Sequence, residues 1–303
     1  DRLLAERLKH AKASRRPNIT AYSRQLARYG IVGITDTSAS NTTDTLADFQ
    51  RLSDGGELLQ HFSLMGSDDL DSGYLKILLD EDRLPDLANL VGRINQARRK
   101  GRNLAFHCVT HLELVFALAA LAEAAPCEAG FDRIEHGAVV NDEMAHRLAD
   151  LGLPVITQPG FLFSKGDQYL ADLTRTELGS LYRFAGLQRQ GVCVVASSDA
   201  PYGLVNPWQV ISSAATRRTR LGATVGEHEQ ITAEQALTGY LTPSVRLNQR
   251  SSFAQARKVK VGMPADLCVL QGEWSAQRGE AGELEVRATL VGGSVVFDRT
   301  QTG

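Results

Sequence analysis

Apolar and polar positions along the chain follow two alternating periods. The runs "GIVGITDT" (30–37), "LLQHFSLMG", "GYLKILLDE", "NLAFHCV", "DRIEH", "PVITQP" and "VCVVASSD" are short, apolar or β-branched, and read as strands. Segments of helical period lie between them. "TTDTLADFQRL" opens on a Thr/Asp cap. In "LPDLANLVGRINQARRKG", Leu84, Leu87, Leu90, Val91 and Ile94 fall on one helical face before a basic last turn and a closing Gly101. Further helices are predicted at "LELVFALAALAEAA", "DEMAHRLADLG", around "TELGSLYRFAGLQRQG", and at "PWQVISSAATRRTR" and "TAEQALTGYLT". Strands separated by helices must pair in parallel, because a parallel crossover needs a helix-length connection.

That alternation leaves two architectures, a doubly wound sheet or a (β/α)8 barrel. The glycine-rich phosphate turn of a dinucleotide fold is missing. Near residue 250 the texture changes: "KVKVGMPADLCVL", "EVRATLVGG" and "SVVFD" are short strands with turn residues and no helical period between them. Residues 1–250 are therefore expected to form a barrel domain and residues 251–303 an antiparallel β segment.

Composition narrows the partners. The net charge of -2 offers no basic field for nucleic acid or anionic lipid, so small neutral molecules or other protein chains are the expected partners. No apolar run approaches the ~18 residues of a membrane span, and "DRLLAERLKHAKASRRPN" lacks the apolar stretch of a secretory signal. A cytoplasmic location is the expectation. The four cysteines, Cys108, Cys127, Cys193 and Cys268, are widely spaced, which suggests reduced thiols and neither a disulfide framework nor a cysteine zinc site.

Polar chemistry gathers at strand ends. His107, His136 and Asp199 close three strands, and Lys76 sits inside another. In a barrel these C-terminal ends converge on one mouth. Neutral imidazole and carboxylate are common ligands of zinc and similar divalent ions. A single strand-end histidine is more often a hydrogen-bonded structural residue, but three such residues on successive strands argue for a site. Lys76 is flanked by apolar residues; it either snorkels from an exposed face or is buried, where an amine loses its proton and can react with carbon dioxide to give an anionic carbamate. His111 lies four residues beyond His107, yet the strand runs up to His107 and helical period starts only at "LELVFAL". It is expected in the first helical turn or the pocket wall, not as a ligand.

The segments "GYLKILLD", "AFHCVTHLELVFAL", "DRIEHGAVV", "VITQPGF", "SSDAPYGLVNPW", "TAEQALTGYLT" and "GMPADLCVL…VRATLVGGSVVFD" together resemble the amidohydrolase superfamily, in its amidohydrolase-3 branch, which includes N-substituted formamide deformylases. The resemblance runs from about Gly30 to Phe297. It implies a TIM-like (β/α)8 barrel followed by part of a small β-sandwich. It also implies one or two divalent metal ions, with zinc the expected one, held by Lys76 (as a carbamate), His107, His136 and Asp199. The implied activity is hydrolysis of a C–N bond of a small non-peptide amide or formamide by metal-activated hydroxide, Asp199 relaying the proton.

One departure stands out. Relatives carry a His-x-His pair on the first barrel strand, and none of the seven histidines here (His10, His61, His107, His111, His136, His146, His228) are two apart. The expectation is a barrel lacking its first strand, with one metal on His107, His136 and either Lys76 or Asp199. The alternative function is an incomplete or inactive barrel that binds or assembles, or that needs a complementary N-terminal segment or a second copy of the chain.

Other residues have two readings each. Tyr202 and Trp208 follow Asp199 and are candidate pocket residues or core aromatics. Asp36 and Thr37 end the first visible strand and face the mouth or cap the next helix. "QPGFLFSKGDQYL", with Lys165 and Asp167, is a substrate-covering loop or an ordinary one. "TRRTR" (216–220) reads as a solvated charge run at a helix end.

Overall fold

The computed structural model describes residues 18–126, 132–242, 257–274 and 281–301. Residues 1–17, the change of texture near 250 and Cys127 lie outside them.

All seven expected strands form, and they are parallel to their neighbours. β1 (Gly33–Asp36) pairs with β2 (His61–Leu64); β3 (Leu75–Leu78), β4 (Leu104–Cys108), β5 (Arg133–His136), β6 (Val155–Thr157) and β7 (Val194–Ala196) follow in sequence order. A single parallel bridge, Gly66 to Leu75, joins the two-stranded piece to the five-stranded one. The result is a seven-stranded curled sheet, with the outer edges of β1 and β7 unpaired among the described residues.

Register separates its two faces. Ile77, Phe106, Ile134, Val155 and Val194 form one row across five strands, and all are core residues. Against that face pack α3 (Leu87–Arg99) through Leu90, Ile94 and Ala97, and α4 (His111–Glu123) through Leu114, Ala117, Leu118 and Leu121. α5 (Asp142–Asp150), α9 (Pro207–Thr216) and α10 (Ala233–Leu241) complete the layer. Each large aliphatic buried there contributes roughly 1.5–3 kcal/mol. The opposite, concave face carries the charged and imidazole side chains among apolar ones: Lys76, Ala105 and Arg133 share one row, and Leu78, His107, Glu135, Ile156 and Val195 the next. Period-2 alternation thus puts helix-facing apolar residues and inward polar residues on the same strands.

Capping residues place the helix starts. Asp86 caps α3, and Thr110 with Glu113 forms a capping box on α4, so His111 is the first residue of that helix. α1 (Ile19–Arg28) and α2 (Thr43–Asp54) flank β1. Asp36 accepts hydrogen bonds from the Ser38 N–H and the Asn41 side chain, which gives it a turn role at the end of β1.

Three local readings change. Residues 160–172 are not a loop but a helix, α6 (Gly160–Asp172), that starts directly beyond β6. The helix expected around "TELGSLYRFAGLQRQG" splits into α7 (Arg175–Gly179) and α8 (Ala185–Arg189), because Tyr182 between them has φ +43°, which no right-handed helix accepts. The "TRRTR" run is not uniformly solvated: Arg217 and Thr219 are buried. Arg217 donates to the carbonyls of Val225, Tyr182 and Leu181.

The tail is a three-stranded antiparallel sheet, in the order β10 (Ser294–Asp298), β9 (Val286–Val291), β8 (Leu267–Leu270). Thr289 donates to the Ala27 carbonyl, and His61 Nε2 lies 2.9 Å from Asp266 Oδ1, so this sheet is fastened to α1 and to β2. No helix among the described residues is long and apolar enough to cross a membrane.

Candidate active site

His107 is the inward residue near the end of β4, in register with Glu135. His136 ends β5 in register with Cys108, which faces the helices, so alternation alone would turn His136 away from His107. It does not, because His136 has φ +69° and Gly137 follows at φ +51°. Gly137 is needed there: a Cβ would lie 2.7 Å from Val155 Cγ1. The turn brings the His136 ring edge-on to His107, with centroids 4.5 Å apart and planes at 75°.

Both imidazoles are held neutral. Burial, and then the charge of Lys76, pushes His107 down to about 4. Burial, and then His107, pushes His136 down to about 3. Neutral imidazole is the ligating form. His136 Nδ1 is buried without a hydrogen-bond partner, and so is Gln158 Oε1. Gln158 stands close enough to favour a proton on His136, although the pair falls short of hydrogen-bond geometry. The Gln158 amide nitrogen donates to the Ile156 carbonyl and Ser197 Oγ.

Lys76 is buried, only 4% exposed, and makes no hydrogen bond or ion pair among the described residues. Burial lowers its proton affinity; Glu135 opposes that and Arg133 reinforces it. Sequence reading missed these two neighbours. Arg133 Nε donates to Glu135 Oε1 at 2.6 Å, both side chains are almost fully buried, and the Arg133 guanidinium lies over the Tyr74 ring. Their signal was in "DRIEH": residues two apart on a strand share a face, so Arg133 and Glu135 point together into the concave side.

Asp199 follows β7 at φ +52°. Its carbonyl accepts the N–H groups of Tyr202 and Gly203. Burial pushes its carboxyl up to about 6, against the pull of Lys76 and Lys165. The four non-glycine residues with positive φ among the described ones are His136, Tyr182, Asp199 and Arg217. Each costs of order 1–3 kcal/mol, and such strain persists where surrounding structure imposes it. Here Tyr182 N–H donates to the Ala138 carbonyl beyond His136, Arg217 holds the carbonyls of Leu181 and Tyr182, and the charge of Asp199 acts on the Tyr182 phenol.

Tyr202 is 60% exposed on the loop after Asp199. Trp208 is buried, tilted against Trp274, and gives its indole N–H to the Tyr29 carbonyl, which is a packing role and not a pocket-lining one. His111 is exposed at the start of α4.

The two neutral rings and the unpartnered Nδ1 suit a divalent ion, but among the described residues no three His, Cys, Asp or Glu side chains converge on one point. The histidine pair therefore fits part of a coordination shell.

Known proteins are similar to this chain in sequence and in fold. The chain is 29% identical over 212 residues to the N-substituted formamide deformylase of Arthrobacter pascens, covering 68% of this chain and 38% of that protein. It is 25% identical over 211 residues to the putative amidohydrolase YtcJ of Bacillus subtilis, covering 68% and 40%. The chain thus spans about two fifths of the length of these relatives. Among solved structures, an uncharacterized metal-dependent hydrolase from Pyrococcus furiosus superposes with a TM-score of 0.65 at 20% identity, over 79% of this chain and 58% of that one, a likeness of fold alone. The amidohydrolase family matches residues 1–297, from ahead of the first strand to the last, and the chain belongs to that family.

Proposed function

We propose that the chain builds the metal-dependent site of a hydrolase that breaks a C–N bond in a small non-peptide amide or formamide. The observation that carries this is the pair of neutral imidazoles, His107 and His136, with a buried unpartnered Nδ1 between the strand ends that also present Asp199. The likeness to a protein named N-substituted formamide deformylase supports it.

His107 and His136 would hold the ion, zinc being usual for imidazole donors. Lys76 is suited to join them as a carbamate, because its buried amine gives up a proton more readily than a free lysine. A divalent ion bound there supplies a Lewis acid that polarises a carbonyl and makes water more acidic. Asp199 is ionised at neutral pH, yet a stronger base than an ordinary carboxylate. It takes the proton from the attacking water and returns it to the departing nitrogen, which needs it because an amide anion is a poor leaving group. Tyr202, exposed on the loop after Asp199, would meet a substrate there. The cytoplasm is the compartment this reading expects.

The test is metal stoichiometry and hydrolysis of N-formyl and N-acetyl amines by the purified protein with zinc added. His136→Ala should lose both metal and turnover. Failure of the unaltered protein to hold any ion at stoichiometric levels would sink the reading.

Among the described residues the outer edges of β1 and β7 are unpaired and no third carboxylate, thiolate or imidazole converges on the histidine pair, which favours a second reading in which a further strand completes the site. Its source would be a complementary segment or a second copy of the chain. Turnover by a monomer of this chain alone, with its ion bound, would overturn that.

A further inference from the structure

α6 rises directly from the end of β6, so its first turns stand over the strand ends. Phe161 and Lys165, four residues apart, share one face of this helix. The Lys165 ammonium lies 4.5 Å from the centre of the Phe161 ring. Phe161 in turn abuts the loop after Asp199: a Cβ at Gly203 would lie 3.4 Å from Phe161 Cε1 and 2.1 Å from the Ser198 carbonyl oxygen. This face of α6 is therefore packed on the segment that carries Asp199. The charge of Lys165 is felt there, since it acts on the Asp199 carboxyl, though the two form no ion pair.

Nothing in the described residues neutralises Lys165. Asp167, its near neighbour in sequence, turns elsewhere: it accepts from Thr219 Oγ1 at 2.5 Å and from the Leu221 N–H at 3.2 Å. An exposed lysine ordinarily extends into water and keeps about 2 kcal/mol of rotamer freedom. This one is exposed but folded over a ring face, with N–H donors left over for a ligand. Lys76, the other lysine whose charge reaches Asp199, is buried.

We propose that Lys165 is an anion-recognition residue at the mouth of the active site, so that the amide or formamide taken there carries a carboxylate. The proposal rests on the hydrolase reading for the site, and the experiment separates the two. Binding by calorimetry and turnover are measured in parallel for matched pairs, N-formyl and N-acetyl amino acids against the corresponding amines without the carboxylate. The proteins are the unaltered chain, Lys165→Met, Lys165→Arg and Lys165→Glu, with Lys100→Met at the far end of the strands as a control. The acids should bind roughly 10-fold or more tightly than their neutral partners, as a charge-assisted contact gives. Lys165→Met should abolish that preference without changing affinity for the neutral amides, Lys165→Arg should keep most of it, Lys165→Glu should reverse it, and Lys100→Met should leave it intact. Equal binding within pairs, no binding of the acids, or a preference that survives Lys165→Met would overturn the proposal. Turnover of neutral amides with no preference for acids would leave the hydrolase reading standing without it. Lys165-dependent binding of acids with no turnover would do the opposite.

Discussion

The rings of His107 and His136 meet edge to face, although strand register pairs His136 with Cys108 on the opposite side of the sheet. A left-handed backbone at the last residue of β5 accomplishes this, and it fixes what a substitution there can do.

At His136 backbone strain and ligation are separable. Asn tolerates the left-handed region and a β-branched residue does not, so His136→Asn should stay within about 1 kcal/mol of the unaltered stability, while His136→Val should lose about 1–2 kcal/mol more. Both should lose zinc affinity by more than ~100-fold, the upper range for changes beyond the ligands themselves. Urea unfolding and zinc titration would read the two effects apart.

The same pair dictates a pH dependence of the metal-free protein. With folded values lowered to about 4 and about 3 from 6.5, His107 and His136 contribute stability that is fully present above about 6.5 and is lost as pH falls toward those lower values. Asp199, raised from 3.8 to about 6, has the opposite sign: its contribution is present below about 3.8 and lost as pH rises through about 6. Two groups outweigh one, so the melting temperature should fall on acidification between about 6.5 and 4. His136→Gln should flatten that fall; an unchanged slope would show that the imidazoles are not held neutral.

Catalysis should carry the mark of Asp199. If it is the base, kcat/KM rises with pH through about 6 and levels off above. Asp199→Asn should reduce kcat by at least ~100-fold, the contribution typical of a positioned base, with zinc binding retained on the histidine pair. A pH profile that is flat from 5 to 8, on the order of the window a lowered carboxylate would give, would remove Asp199 from this role.

Glu135 should be costly to remove alone. It shares a nearly dry interior with Arg133, and Glu135→Ala takes from that buried guanidinium its carboxylate partner at 2.6 Å, at about 3–5 kcal/mol. Arg133→Met combined with Glu135→Leu should recover most of that, since an apolar replacement of both ions abolishes the desolvation cost. A double-mutant cycle in urea would show additive losses if the two side chains do not act as a pair.

Arg217 should prove a structural centre despite its place in a charge run. Its guanidinium serves three buried carbonyls, those of Leu181, Tyr182 and Val225. Arg217→Met leaves them without donors, at roughly 1–3 kcal/mol apiece, and Arg217→Lys should not rescue it because an ammonium lacks the planar fork. Thermal unfolding checks both, and loosening of Tyr182 would appear as a change in the exchange of its amide with solvent.

Seven strands, their parallel order, the strand-end positions of His107 and His136 and the place of Asp199 just beyond β7 were legible because each rests on local period: apolar runs of strand length, helical repeats between them, and capping residues at helix starts. Lys76 was legible as an anomaly but not as buried, since a mid-strand lysine reads the same on either face until the curl of the sheet decides which one closes. The loop reading of "QPGFLFSKGDQYL" gives way to α6, because proline and glycine at a helix start are compatible with helix.

By itself the sequence determined the alternation of strand and helix, the antiparallel tail and the residues able to carry metal and proton chemistry, because these follow from side-chain type and spacing along the chain. Only the tertiary structure decided that His136 turns back onto His107, that the charges of Arg133 and Glu135 act on a buried Lys76, and that Lys165 folds over Phe161 while Asp167 turns away. Those relations depend on left-handed residues and on curvature of the sheet. Neither is written in any local pattern, and both are imposed by contacts between segments far apart in the chain.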